Sequence, residues 1–157
     1  MSTEVIQTGE IVPDITLPRD GGAPVSLTAL RPAPVVLFFY PRDLTSGCTK
    51  EAIAFSGLKS EFEAAGAHVF GISKDSVKSH DKFVAKHELT VPLLSDEATN
   101  IAEKFGVWQE KKMYGKTFWG IVRSTFLIDG EGKLVRDWRK VKVDGHADEV
   151  LDAVRAL

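Results

Sequence analysis

The chain has 157 residues, 43% of them hydrophobic and 27% charged, with a formal net charge of −2. That length fits a single domain spanning 1–157 with a substantial core, and the near-neutral charge gives no reason to expect nucleic acid or an anionic membrane as partner. No apolar run approaches the roughly 20 residues of a membrane span, the polar start MSTEVIQTGE lacks the features of a secretion signal, and a lone cysteine permits no internal disulfide, so a reducing, cytoplasmic setting is expected.

Ile15 and Leu17 alternate with polar residues before Asp20-Gly21-Gly22, and Val25 and Leu27 resume after it, which predicts a small N-terminal hairpin. Arg31-Pro32-Ala33-Pro34 is an irregular lead into Val35-Val36-Leu37-Phe38-Phe39-Tyr40, an unbroken apolar run that predicts a strand buried on both faces. Pro41 stops that strand, and Asp43, Thr45 and Ser46 suit a turn and a helix cap. Ala52, Phe55, Leu58 and Phe62 then recur at helical spacing, with Gly66 as the stop. His68–Ser73 predicts a second buried strand, and Asp75 or Ser76 caps a helix through His87. Val91–Leu94 predicts a short strand, and Ser95-Asp96 opens a short helix through Phe105. Residues 106–120 carry aromatics among charges with no clean period and predict a loop or irregular strand. Ile121–Ile128 is a strand, Asp129-Gly130-Glu131-Gly132 a turn, Leu134–Val141 its antiparallel partner, and Asp144 or His146 opens the last helix. Alternating β and α followed by an antiparallel pair predicts an α/β fold: a central mixed sheet flanked by helices.

This order puts Cys48 in the first turn of a helix leaving the C-terminal end of the central strand, the edge where ligands collect in α/β sheets. An unperturbed thiol has a pKa of about 8.5, and the anion is the nucleophile. Free N–H groups of a helix start, or an arginine, favour that anion. The competing reading is an inert buried cysteine, which the polar neighbours Thr45, Ser46, Thr49, Lys50 and Glu51 do not resemble.

Pro41-Arg42-Asp43-Leu44-Thr45-Ser46-Gly47-Cys48 resembles the P-x-x-x-T-x-x-C motif of the peroxiredoxins. PRDLTSGCTKEA is similar to the bacterioferritin-comigratory-protein (peroxiredoxin Q) branch, and VPDITLPRDGG and KKMYGKTFWGIVRSTFLIDGEGKL extend the likeness over most of the chain. The resemblance implies a thioredoxin-like fold and reduction of hydrogen peroxide or alkyl hydroperoxides, with no cofactor. It implies that Cys48 attacks the peroxide and becomes a sulfenic acid, and that Thr45 sets its hydroxyl against sulfur and substrate. Arg123 would stabilise the thiolate and the developing charge, Pro41 would shield the sulfur, and Glu51 would orient an arginine. Tyr114, Phe118 and Trp119 form a substrate collar or dimer face on this reading, or simply pack a loop.

Many relatives carry a second cysteine in one of two places, which here fall at Ile53 and near Val84, and Ser46 stands where the branch often has proline. The sulfenic acid must therefore be reduced by an external thiol: thioredoxin, glutaredoxin, a small thiol, or Cys48 of a transient homodimer. The alternative on the same fold is a redox sensor or binding module that oxidises once without turnover. A cysteine hydrolase needs a histidine base beside Cys48, and none is near in sequence. His68, His80, His87 and His146 lack metal spacing and read as structural, and Lys133, Arg136, Arg139, Lys140 and Lys142 as a solvated strand face.

Overall fold

The computed structural model describes residues 5–157. A two-stranded hairpin, β1 (Thr16–Pro18) and β2 (Pro24–Ser26), precedes β3 (Val35–Phe39). Helices α1 (Ser46–Gly57) and α2 (Lys59–Ala64), strand β4 (His68–Ser73), helix α3 (Val77–His87), strand β5 (Leu93–Ser95) and helix α4 (Ile101–Lys104) follow. The rest is β6 (Trp108–Met113), β7 (Lys116–Ile121), β8 (Ser124–Ile128), β9 (Leu134–Arg139) and α5 (His146–Arg155).

The central sheet has the order β5-β4-β3-β8-β9. Strand β3 lies in its middle, parallel to β4 and antiparallel to β8, and every β3 residue is buried. Period-two alternation sends Val35, Leu37 and Phe39 into one core with the N-terminal segment, α4 and Phe126. Val36, Phe38 and Tyr40 enter the other core with α1, α2, α3 and α5. Phe38 stacks on Phe55 of α1 with ring centroids 4.4 Å apart, which fixes α1 against the sheet.

Four expectations change. The single helix expected to run to Gly66 breaks at Leu58. Gly57 is a weak helix former, and Ser56 is engaged from outside: its carbonyl accepts from the Thr90 hydroxyl (3.1 Å) and its hydroxyl oxygen from the Thr90 N–H (3.0 Å). The helix expected from Ser95-Asp96 starts only at Ile101, because the buried Asp96 carboxylate accepts the N–H groups of Ile101 (3.0 Å) and Ala102 (2.8 Å) from outside the helix. Residues 106–120 contain most of a regular hairpin, β6–β7, turned through Tyr114 and Gly115, both at positive φ (52° and 75°). Its strands are mostly solvated on both faces, which removes the apolar alternation that announces a strand. Finally, Ile121–Ile128 is two strands. Val122 and Arg123 leave the ladder, with the Val122 N–H donating to Val107 (2.8 Å) and the Arg123 carbonyl accepting from Val141 (3.0 Å).

Candidate active site

The β3–β8 register pairs Phe39 with Ser124, so the start of β8 and the end of β3 meet at one sheet end. Arg123 precedes Ser124 there, and the Pro41–Thr45 loop leads from β3 into α1 beside it. Thr45 is the N-cap residue of α1, with extended backbone (φ −85°, ψ 155°), which places Cys48 in the first helical turn. Amide N–H groups of that turn have no carbonyl within the helix.

Arg123 bridges the two acidic groups of α1. Its Nη2 donates to Cys48 Sγ at 3.4 Å and its Nη1 to Glu51 Oε1 at 2.7 Å. Glu51 sits one turn after Cys48 on the same helix face. Cys48 and Glu51 are each 1% exposed and Arg123 is partly buried, so these interactions act in a medium of low polarity. Burial pushes the Glu51 carboxyl up to about 7, against the pull of the Arg123 charge and hydrogen bond. Burial also works against the Arg123 charge, but the charges of Glu51 and Cys48 outweigh it and hold its pKa above the usual arginine value. Glu51 Oε2 is buried and has no partner among the described residues.

Gly47 leaves room for the approach. A Cβ built there would lie 3.1 Å from Arg123 Nη2. Lys111 of β6 is the second cation near the sulfur. Burial lowers its pKa, the Arg123 charge lowers it further, and the Cys48 charge opposes both. The motif drew attention to Cys48, Thr45 and Pro41 but not to Gly47 or Lys111; for Lys111 the hairpin's pairing with Phe118 is the missing signal.

Other expected residues are placed differently. The Thr45 hydroxyl donates to the Arg42 carbonyl at 2.8 Å instead of pointing its proton at the sulfur, because the turn leaves that carbonyl as the nearest acceptor. Pro41 is partly buried at the end of β3. Phe118 is 42% exposed on β7, and Tyr114, at the hairpin turn, is 96% exposed and stands in solvent rather than in a wall around Cys48. Among the described residues, no group of three His, Cys, Asp or Glu is placed to hold a metal ion, and no helix is long and apolar enough to cross a membrane.

Residues 8–136 match the AhpC/TSA family. The chain belongs to the AhpC/TSA family. Within it the relatives are peroxiredoxins of the Bcp/PrxQ branch. Peroxiredoxin Bcp of Xanthomonas campestris pv. campestris is 47% identical over 156 residues, covering 99% of this chain and 98% of the relative. Peroxiredoxin Bcp of Bacillus subtilis is 45% identical, covering 97% of each. The structure of a cysteine-to-serine variant of Xylella fastidiosa PrxQ superposes with a TM-score of 0.91 at 41% identity, covering 96% of each chain. This peroxiredoxin chain therefore has the thioredoxin-like fold of its structural relatives, with the N-terminal hairpin added.

Proposed function

We propose that this chain is a thiol-dependent peroxidase that reduces hydrogen peroxide and alkyl hydroperoxides through Cys48. One observation carries the reading: a guanidinium held by Glu51 donates to the only sulfur of a cysteine in the chain, at 3.4 Å, in the first turn of a helix. A related protein, the bacterioferritin comigratory protein of Xanthomonas campestris, 48% identical, has been described for its alkyl peroxide reduction activity.

In the proposed reaction the thiolate attacks one peroxide oxygen in line with the O–O bond. The S–O bond forms as the O–O bond breaks; sulfur loses two electrons, and the departing oxygen takes a proton to leave as water or an alcohol. Arg123 stabilises both the starting anion and the charge moving onto oxygen. The Thr45 proton is committed to Arg42, which leaves its oxygen lone pairs to accept from the peroxide hydroxyl. Pro41 shields the sulfur, and Phe118, paired with Lys111 across the hairpin, meets the organic part of a substrate.

With one cysteine in the chain, the oxidised sulfur is reduced from outside. An external thiol displaces water from the sulfenic acid to give a mixed disulfide, and a second thiol releases Cys48. Thioredoxin, glutaredoxin or a small thiol fits this role, in the cytoplasm, with the chain acting as one domain and as a monomer or weak homodimer.

The test is one equivalent of peroxide followed by mass measurement. One oxygen should add at Cys48, disappear on adding thiol, and be absent from Cys48→Ser, which should show no turnover. Undiminished turnover by Cys48→Ser ends the proposal, and oxidation without repeated cycling in excess thiol indicates a sensor instead.

A further inference from the structure

His80 of α3 is fully buried and lies 2.7 Å from the carboxylate of Asp43, which is itself buried in the loop between β3 and Cys48. Its other ring nitrogen, Nε2, lies 3.0 Å from the Leu94 carbonyl of β5. A carbonyl oxygen only accepts, so Nε2 carries a hydrogen. Two further donors already point at Asp43: the Tyr40 hydroxyl to Oδ1 at 2.6 Å and the Ser79 hydroxyl to Oδ2 at 2.8 Å. They satisfy an acceptor carboxylate, so the Nδ1 proton belongs to the imidazole. Both ring nitrogens are then donors.

We propose that His80 is a positively charged positioning residue, whose ion pair with Asp43 clamps the loop that delivers Thr45 and Cys48. The loop needs a clamp. Leu44, which follows Asp43, has a φ of 66°, a left-handed conformation unfavourable for a leucine. Asp43 is held from both ends, since its own N–H donates to Asp75 Oδ2 at 2.9 Å while its carboxylate takes the three donors. Asp75 is fixed in turn by the Ser73 hydroxyl at 2.6 Å. The clamp thus ties the catalytic loop to α3, β4 and β5.

The groups facing His80 are Asp43 from the loop, Tyr40 from the end of β3, Asp75 from the β4–α3 connection, and the Leu94 carbonyl from β5. Burial works against the imidazolium, but the Asp43 hydrogen bond and charge, then Leu94 and Asp75, outweigh it and raise its pKa above the usual histidine value. Burial and the Asp43 charge hold the Tyr40 phenol well above its ordinary range, so Tyr40 remains a donor. A raised histidine stabilises fully below its unfolded pKa of about 6.5, and the contribution fades as pH rises through the folded value. The clamp is therefore closed in acid and loosens in alkali.

The link to catalysis rests on the peroxidase reading; the charge on His80 does not. The test is a pH series on the unmodified protein, following the ring nitrogens of His80 by nitrogen NMR and the amides of Ser46–Cys48 by hydrogen exchange. The His80 midpoint should lie above the ordinary histidine value of about 6.5, and below that midpoint both ring nitrogens should bear protons. Amide opening, after correction for base catalysis, should rise by roughly tenfold or more at the same midpoint, as expected for losing a charge-assisted hydrogen bond. A ring that loses a proton at or below the ordinary histidine value, or amide opening without that step, overturns the proposal. Asp43→Asn should lower the His80 midpoint and erase the step at the parent's midpoint. Single-turnover oxidation of Cys48 supplies the link to catalysis: a decline at the His80 midpoint supports it, and an unchanged rate through that midpoint removes it. A charged His80 with co-titrating amides in a protein that does not consume peroxide would sink the peroxidase reading and leave the clamp standing.

Discussion

At the residue scale the site is a balance of charges: one guanidinium placed between a sulfur and a carboxylate, both removed from water. Glu51 has a measurable consequence. Its folded pKa is raised from 4.5 to about 7, so its contribution to stability is fully present below the unfolded value and is lost as pH rises through 7. Glu51→Gln keeps an oxygen for Arg123 and removes the ionisation. The variant should therefore lose less stability than the parent between pH 5 and pH 8, by about 3 kcal/mol at most, in chemical denaturation at each pH. A second prediction concerns Gly47. The added methyl of Gly47→Ala meets Arg123 Nη2 at 3.1 Å, so single-turnover oxidation should slow roughly tenfold while stability changes by less than about 1 kcal/mol. The meeting of Cys48, Arg123 and Glu51 was legible in the sequence because a motif and a second matching segment carried the three residues. The direction of the Thr45 proton was not legible, since it depends on a local carbonyl of the folded turn. The contact between His80 and Asp43 was not legible either, because the two lie 37 residues apart in sequence.

At the element scale, β3 is the piece everything else is measured from. The packing that seats α1 on it is tight: a Cβ at Gly71 of β4 would lie 2.8 Å from the Phe38 ring and 2.9 Å from Leu93 Cδ2. Gly71→Ala should destabilise by about 1–3 kcal/mol in urea denaturation, by forcing Phe38 away from Phe55. Strands β3 and β4 were legible because burial on both faces leaves largely apolar runs, whereas β8 was legible only as the latter part of a longer expected strand. The break at Leu58 and the late start of α4 were not, because Thr90 and Asp96 act on those helices from outside them. Hairpin β6–β7 was missed for a third reason: a hairpin solvated on both sides has no apolar period to read.

At the scale of the whole molecule, the mixed sheet brings the end of β3 and the start of β8 to one end, so residues 75 positions apart in sequence touch. The α/β class was readable from element order, but this meeting depends on the antiparallel register of β8, which no local pattern specifies. A lone cysteine that is 1% exposed also makes access to the sulfur a whole-molecule matter, because a protein thiol has no open path to it in this conformation. A small thiol should therefore form its mixed disulfide with oxidised Cys48 faster when mild urea loosens local structure; mass-resolved kinetics showing no acceleration would contradict that.

The most direct measurement is the single-turnover rate of Cys48 oxidation by hydrogen peroxide at neutral pH, compared between the parent and Arg123→Ala. A guanidinium that holds the thiolate and meets the charge shifting onto oxygen predicts a fall of about a hundredfold or more, with the fold retained. Equal rates in the two proteins would contradict the account.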